Sequence, residues 1–250
     1  MRKIYLVPNF VTTANMFCGF YSLIASIHGD FIGAAWAIIA AAIFDMLDGR
    51  IARLAKATSL FGVEYDSLSD LISFGVAPGI LLYQWALEPF GRLGWLAAFL
   101  FVVCGALRLA RFNVNSASLP KGFFQGLPIP MGAGMVATFI IFSQTVSLGS
   151  AHQFAVLLLT FGLASLMVST IKFPSFKELN WRSRASFGYL LIGVLSMVLI
   201  AVKPEVTLFL VLSAYVVFGL AWNVICYIRG VPVAQQKTPS QSSAGTGDKS

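Results

Sequence analysis

The sequence predicts an all-α protein that crosses a membrane several times. Its residues are 58% apolar and only 11% charged, whereas soluble domains are roughly half apolar and about a quarter charged. The apolar residues form about eight continuous stretches, most of them near the roughly 20 residues that a helix needs to cross a bilayer. A transmembrane β-barrel would instead need short segments in which apolar and polar residues alternate. We therefore expect a polytopic membrane protein with about eight transmembrane helices.

The predicted segments divide the chain into one membrane domain and a tail. The segments are residues 11–27, 31–54, 60–86, 93–112, 130–147, 154–169, 187–202 and 206–228. The first is the least regular, because its opening turn is polar. Residues 1–230 are expected to form a single transmembrane catalytic domain. Residues 231–250 are rich in Ser, Gly, Thr and Gln and are expected to form a disordered cytoplasmic tail.

The basic residues predict the orientation of these segments. Apart from Arg92 and Lys203, every Lys and Arg lies at a terminus or beside the second–third, fourth–fifth or sixth–seventh connection. Connections rich in Lys and Arg stay on the cytoplasmic side, so both termini are predicted to be cytoplasmic, in the cell (inner) membrane. The net charge of +7 suits anionic lipid surfaces. Because the basic residues form no single patch, nucleic acid is not a predicted partner.

Four of the ten acidic residues follow a fixed spacing. Asp45 and Asp48 are three residues apart, which places them about 60° apart on one face of a helix. On the next segment, Asp66 and Asp70 are four residues apart, again on one face. A short basic connection near Lys56 joins the two segments as an antiparallel pair. The four carboxylates are therefore expected to converge near the cytoplasmic surface.

Such a cluster of carboxylates predicts bound cations. Like charges repel, and each is costly to insert into a membrane, unless a cation neutralises them. Carboxylate oxygens suit Mg²⁺, Mn²⁺ or Ca²⁺ rather than zinc. Four carboxylates exceed what one Mg²⁺ usually takes from protein, so we expect two divalent cations, Mg²⁺ or Mn²⁺. Two metals about 3.5–4 Å apart clamp the attacking and leaving oxygens of a displacement at phosphorus, which indicates a phosphate-transfer enzyme.

Two other interpretations of the acids stay open at this point. The acids could be solvated helix ends whose small neighbours serve helix packing, or they could line an ion or proton path in a transporter. A transporter would distribute its carboxylates along several helices. Neither alternative accounts for the small residues and the arginine within the pattern. Gly49, Ala52 and Gly62 would let a flat base or pyrophosphate approach the backbone, and Arg53 could pair with a phosphate oxygen.

From Asp45 to Asp70 the sequence reads D-x2-D-G-x2-A-R-x8-G-x3-D-x3-D, and this stretch resembles the CDP-alcohol phosphotransferase family. The resemblance implies a six-helix core, to which the last two segments are additions. It also implies transfer of a phosphatidyl or similar group from a CDP-linked donor to an alcohol, with release of CMP. Members of the family are commonly homodimers, so a homodimer is expected.

The resemblance further implies roles for the residues of the signature. Asp45, Asp48 and Asp66 would bind the first metal. Asp45, Asp66 and Asp70 would bind the second, and Asp70 would also be the general base. The expected nucleotide contacts are Gly49, Ala52, Arg53 and Gly62.

Other parts of the chain narrow the expected substrates. Residues 8–15, 67–78, 108–113, 124–130 and 173–177 resemble those members of the family that transfer the phosphatidyl group of CDP-diacylglycerol to L-serine. The main alternative is an acceptor such as glycerol 3-phosphate or inositol phosphate, which would need a denser basic pocket. The candidates for bordering the cytidine pocket are Pro8, Thr12 and Asn15, although helix-entry chemistry explains them equally well.

Three basic residues are candidates for binding the serine carboxylate. Arg108 and Arg111 are helical neighbours on the predicted cytoplasmic side, and Lys121 follows in the adjoining connection. They could equally be topology determinants that touch lipid phosphate. If Arg111 recognises the carboxylate, Arg111→Ala should raise the KM for serine far more than the KM for the donor.

Overall fold

The structure is a computed structural model that describes residues 6–54, 59–115, 123–145, 152–174 and 203–228. Eight α-helices occur in these ranges: α1 (Leu6–Ile27), α2 (Phe31–Leu54), α3 (Leu60–Asp70), α4 (Ala77–Leu82), α5 (Arg92–Asn115), α6 (Ile129–Ser143), α7 (His152–Val168) and α8 (Pro204–Ile228).

The helices confirm the predicted all-α polytopic class. Five helical stretches are long and apolar enough to cross a membrane: Asn9–Ile27, Phe31–Ile51, Leu60–Phe90, Arg92–Val114 and Pro204–Asn223. The apolar helices α6 and α7 are shorter. The predicted seventh segment, residues 187–202, lies outside the described residues, as do the tail and Lys121.

The third span contains irregular turns that were not predicted from the sequence. A π-helical turn, Leu71–Val76, joins α3 to α4, and a second π turn, Tyr83–Leu87, and a short 3₁₀ turn, Glu88–Phe90, complete the span. Pro78 lies in the first turn of α4. Because proline has no N–H, it cannot continue the regular hydrogen-bond ladder from α3. The span remains helical, but directly after Asp70 it changes from α-helical to π-helical hydrogen bonding.

Helix α1 packs against α2 and against the third span. Two hydrogen bonds cross this contact: Ser69 Oγ donates to the carbonyl of Thr12 at 3.1 Å, and Ser73 Oγ donates to the carbonyl of Asn15 at 3.0 Å. The approach depends on Gly19, where an added Cβ would overlap the backbone and side chain of Ser73. Small residues allow this kind of close contact between membrane helices.

Two three-residue strands, which were not predicted from the sequence, connect two of the loops. β1 (Phe123–Gln125) pairs antiparallel with β2 (Lys172–Pro174). The turn after β1 requires Gly126, whose φ is 77° and whose N–H donates to the carbonyl of Ile171 at 2.8 Å. Strands this short have no residue periodicity for a sequence to reveal. Helix α8 packs against α6 and against β2.

Candidate active site

The fold brings three of the four predicted carboxylates together. Asp45 and Asp48 come from α2, and Asp66 comes from α3. One carboxylate oxygen from each lies within 4.8 Å of the others. The helical spacing seen in the sequence contributes to this convergence because it places Asp45 and Asp48 on one face of α2.

The fourth carboxylate, Asp70, lies one helical turn further along the third span. It is only 8% exposed and interacts electrostatically with Asp45, Asp66 and Asp48. Asn15 Nδ2 donates a hydrogen bond to Asp70 Oδ1 at 3.2 Å. Asp70 is therefore part of the same acidic site but has its own polar partner.

Helix α1 provides hydrogen bonds to two of the acids. Besides the bond from Asn15 to Asp70, Thr12 Oγ1 donates to Asp48 Oδ2 at 3.1 Å, and both pairs are buried. Thr12 and Asn15 were predicted to border a cytidine pocket. In the structure they contact carboxylates, so their direct effect is to orient two of the acids.

The donor set fits a divalent cation. The three clustered groups are all carboxylates, the ligands preferred by Mg²⁺ and Mn²⁺. Asp66 Oδ1 is buried and has no hydrogen-bond partner among the described residues. A buried acceptor without a partner is costly, and a bound cation would satisfy it.

The predicted nucleotide contacts have different surroundings. An added Cβ on Gly49 would meet nothing within 4 Å, so the acidic face of α2 borders open space there. Gly62 is more enclosed: its N–H donates to Ser59 Oγ at 3.0 Å as part of the α3 N-cap, and an added Cβ would lie 3.7 Å from Asn9 Oδ1. The side chains of Pro8, Ala52 and Arg53 lie outside the described residues.

The two predicted arginine candidates on α5 have different environments. Arg108 is 7% exposed and interacts electrostatically with Asp70. Arg111 points elsewhere: its Nη2 donates to the carbonyl of Val168 at 2.8 Å and its Nη1 to the carbonyl of Ser169 at 3.4 Å. These carbonyls lie at the C-terminal end of α7, where a basic side chain commonly caps the helix. Of the two, Arg111 is therefore engaged with the end of α7, whereas the buried Nε of Arg108 has no hydrogen-bond partner among the described residues.

Two further contacts near the site were not predicted from the sequence. Thr13 Oγ1 and the Tyr65 hydroxyl are 2.9 Å apart, and Asn113 Nδ2 donates to Ser67 Oγ at 2.8 Å. Asn113 and Ser67 lie in two of the stretches that carry the family resemblance, but their pairing depends on how α5 packs against the third span.

Comparisons with known proteins agree with this site. Residues 5–170 match the family model for CDP-alcohol phosphatidyltransferase. The chain is 35% identical over 222 residues to the CDP-diacylglycerol–serine O-phosphatidyltransferase of Helicobacter pylori, covering 88% of this chain and 92% of the relative. For the protein of the same name from Methanocaldococcus jannaschii, identity is 35% over 230 residues, or 92% of this chain and 98% of the relative.

A third relative comes from Bacillus subtilis and has the same name. It is 37% identical over 172 residues, which cover 69% of this chain and 92% of the relative. The matched residues 5–170 include all four acids of the site and the arginines of α5. With the carboxylates converging as the signature predicts, the chain belongs to the CDP-alcohol phosphatidyltransferase family.

Proposed function

We propose that the protein transfers the phosphatidyl group of CDP-diacylglycerol to the hydroxyl of L-serine, producing phosphatidylserine and CMP for phospholipid biosynthesis. The observation that carries the proposal is the convergence of Asp45, Asp48 and Asp66 beside Asp70. It occurs in a chain whose relatives, over most of its length, bear the name of this reaction. A transporter is disfavoured because the acids gather at one point between two neighbouring spans.

The acids would hold two divalent cations, Mg²⁺ or Mn²⁺. Asp45, Asp48 and Asp66 would bind the first, and Asp45, Asp66 and Asp70 the second. When bound, the cations neutralise the pyrophosphate and stabilise the departing CMP. The open space beside Gly49 leaves room for the nucleotide end of the donor next to the acidic face. Ala52, Arg53 and Gly62 remain the other proposed donor contacts.

Asp70 would take the proton of the serine hydroxyl. The serine oxygen forms a bond to the phosphorus that carries diacylglycerol, and the bond from that phosphorus to the oxygen of CMP breaks. We prefer a single displacement because the nearby serines already have other partners: Ser67 Oγ donates to the carbonyl of Val63, and Ser69 Oγ to that of Thr12. A donor with chiral phosphorus tests this. Inversion of configuration is expected, and retention would require two displacements.

The active site and both termini are proposed to face the cytoplasm, in the cell (inner) membrane. The pairing of β1 with β2 supports this orientation. It joins the fourth–fifth connection to the sixth–seventh connection, and the distribution of basic residues puts both on the cytoplasmic side. A homodimer is proposed from the family resemblance.

The deciding experiment compares acceptors. Purified protein with Mg²⁺ or Mn²⁺ and labelled CDP-diacylglycerol is given L-serine, glycerol 3-phosphate or inositol phosphate, and the lipid products are separated. Phosphatidylserine should form with L-serine and little product with the other two. A preference for a phosphorylated acceptor would place the protein elsewhere in the family, and no transfer to any acceptor would contradict the proposed reaction class.

A further inference from the structure

Helix α3 carries two of the four acids, but little of it is buried. Of its 11 residues, Ser69 and Asp70 are the buried ones, and the apolar residues elsewhere on the helix are exposed, namely Leu60, Phe61, Val63 and Leu68. Directly after Asp70 the span continues as a π turn. Side-chain packing therefore does little to fix the rotation of α3 about its own axis, and its polar contacts become decisive.

Hydrogen bonds to α1 hold one side of α3. Ser69 Oγ donates to the carbonyl of Thr12 at 3.1 Å. The hydroxyl groups of Tyr65 and Thr13 are 2.9 Å apart, and Tyr65 is the donor because the hydroxyl proton of Thr13 goes to the carbonyl of Asn9 at 2.7 Å. Since each residue of an α-helix advances by about 100°, Tyr65 and Ser69 lie only about 40° apart on the side of α3 that faces α1.

A hydrogen bond to α5 holds the opposite side of α3. Asn113, near the C-terminal end of α5, donates from Nδ2 to Ser67 Oγ at 2.8 Å. Ser67 Oγ in turn donates to the carbonyl of Val63 at 3.0 Å, so the hydroxyl has both a donor and an acceptor as partners. Ser67 is two residues from Tyr65 and two from Ser69, which places it about 160–200° away from both around the helix.

The two acids of α3 lie between these two sides. Asp66 and Asp70 are about 100° and about 140° from Tyr65, in the direction of Ser67. A rotation of α3 would turn both carboxylates away from the acids of α2, with which Asp66 forms the cluster. Because α1 and Asn113 hold opposite sides of the helix, the two contacts together oppose such a rotation.

We propose that Asn113 is a positioning residue of the cation site: through Ser67 it fixes the rotation of α3 and so directs Asp66 and Asp70 towards the bound cations. The inference rests on the cation site of the proposed function. Asn113 acts through Ser67 and is not itself a ligand of the cations. Loss of this one hydrogen bond should therefore weaken cation binding several-fold without abolishing it.

The test is a titration of the purified full-length protein with Mn²⁺ in the absence of substrate, with free Mn²⁺ measured by electron paramagnetic resonance. Asn113→Leu nearly keeps the size of the side chain and removes the donor, and Ser67→Ala removes the acceptor. Each should raise the Kd for Mn²⁺ about three- to tenfold, the range that corresponds to one hydrogen bond. Ser67→Thr keeps the hydroxyl and should bind Mn²⁺ within about twofold of the wild type.

The double variant Asn113→Leu/Ser67→Ala separates the hydrogen bond from other effects of the two changes. If both residues act through their shared hydrogen bond, the double variant should bind Mn²⁺ about as well as the weaker single variant. If the two effects multiply instead, the residues act independently and the inference fails. Each titration is run well below the melting temperature of the variant, where a loss of stability alone leaves the Kd unchanged.

Two control variants repeat the same chemical changes on helices that contribute no acid to the site. Asn223→Leu removes an amide that donates to the carbonyl of Gly219 in α8 at 2.8 Å. Ser165→Ala removes a hydroxyl that donates to the carbonyl of Phe161 in α7 at 2.7 Å. Both should leave the Kd for Mn²⁺ within about twofold of the wild type. A rise equal to that of Asn113→Leu would make the effect unspecific and overturn the inference.

Failure of the inference and failure of the proposed function give different results. If the wild-type protein binds Mn²⁺ and both Asn113→Leu and Ser67→Ala bind it equally well, the inference is wrong and the proposed function stands. If the variants behave as expected but the wild type forms no phosphatidylserine, the proposed reaction is wrong and the role of Asn113 in the cation site stands. If the wild type binds no Mn²⁺, both are wrong.

Discussion

Individual side chains of α1 hold the acids of the site in place. Thr12 and Asn15 each donate one buried hydrogen bond, to Asp48 and Asp70 respectively. A carboxylate with a fixed partner has a fixed orientation, which a cation site requires. The sequence identified all four of these residues as functional candidates. It could not pair them, because the pairing depends on which turns of α1 meet α2 and which meet the end of α3.

Asp66 should be essential for turnover. Asp66→Asn removes one of three clustered ligands and should lower kcat at least about 100-fold, because the cations that it helps to hold would stabilise the leaving group. Phosphatidylserine formation from labelled CDP-diacylglycerol measures this. Asp30→Asn is the matched control: Asp30 accepts from the N–H of Gly33 at 2.8 Å, away from the site, and the amide keeps that interaction. Undiminished turnover in Asp66→Asn would contradict the role of the acids.

Thr12 should affect metal affinity through its hydroxyl group. Thr12→Val keeps the shape of the side chain but removes the hydrogen bond to Asp48, and it should weaken Mn²⁺ binding about 10-fold to 100-fold, as loss of a residue that orients a metal ligand typically does. Spectroscopic titration of the purified protein with Mn²⁺ provides the readout. Thr12→Ser keeps the hydroxyl and should retain most of the affinity. Equal affinity in Thr12→Val and the wild type would show that this hydrogen bond does not support the cation site.

At the level of helices, the contact between α1 and the third span determines the site. Asn15 reaches Asp70 because α1 lies close to this span, where Gly19 faces Ser73. In the sequence, Gly19 is a single glycine within an apolar segment, which predicts helix packing only in general terms. The hydrogen bonds from Ser69 and Ser73 to carbonyls of α1 set the register of the contact.

Gly19→Ala should separate these two helices. Its new methyl group would overlap Ser73, and overpacking of this kind lowers the free energy of unfolding by about 1–3 kcal/mol. Activity should fall together with thermal stability, because Asn15 moves away from Asp70. Gly162→Ala in α7 is a suitable control, because its Cβ would meet nothing within 4 Å and alanine favours a helix. A melting temperature for Gly19→Ala equal to that of the control would contradict this account.

The two arginines of α5 could not be distinguished from the sequence alone. Arg108 and Arg111 lie about 60° apart around their helix, and the sequence offers both as candidates for the same task. What separates them is their surroundings: Arg111 hydrogen-bonds the carbonyls at the end of α7, whereas Arg108 is buried with its Cζ 5.2 Å from the centre of the Phe112 ring. The strands β1 and β2 were not predicted for a related reason, because each one forms only by pairing with the other.

For the whole molecule, the sequence predicted the class and the acidic centre because both follow from local periodicity. Long apolar runs identify the membrane spans, and the three- and four-residue spacings put the acids on one face of each helix. The changed winding after Asp70 and the strand pair were not predicted. Each of these depends on contacts between residues far apart in the chain, for which a single sequence carries no periodic signal.

The orientation of the molecule in the membrane can be tested by chemical labelling. Val114 ends the span that begins near Arg92, and Lys203 precedes α8. With the native cysteines replaced, a cysteine at position 114 should react with a membrane-impermeant maleimide only after the cytoplasmic face is opened. A cysteine at position 203 should react in intact cells. The opposite pattern would invert the proposed topology and move the acids to the outer face.

The π turn at Leu71–Val76 gives the third span two independent helical phases. A π turn encloses one more residue than an α-helical turn, so the residues after it are rotated relative to those before it. The acids can thus keep their four-residue spacing on one side while Phe74, Ala77 and Leu81, all fully buried, face the interior below them. Deleting one residue from this turn would rejoin the two phases, so that either the acids or the apolar side chains would point in the wrong direction.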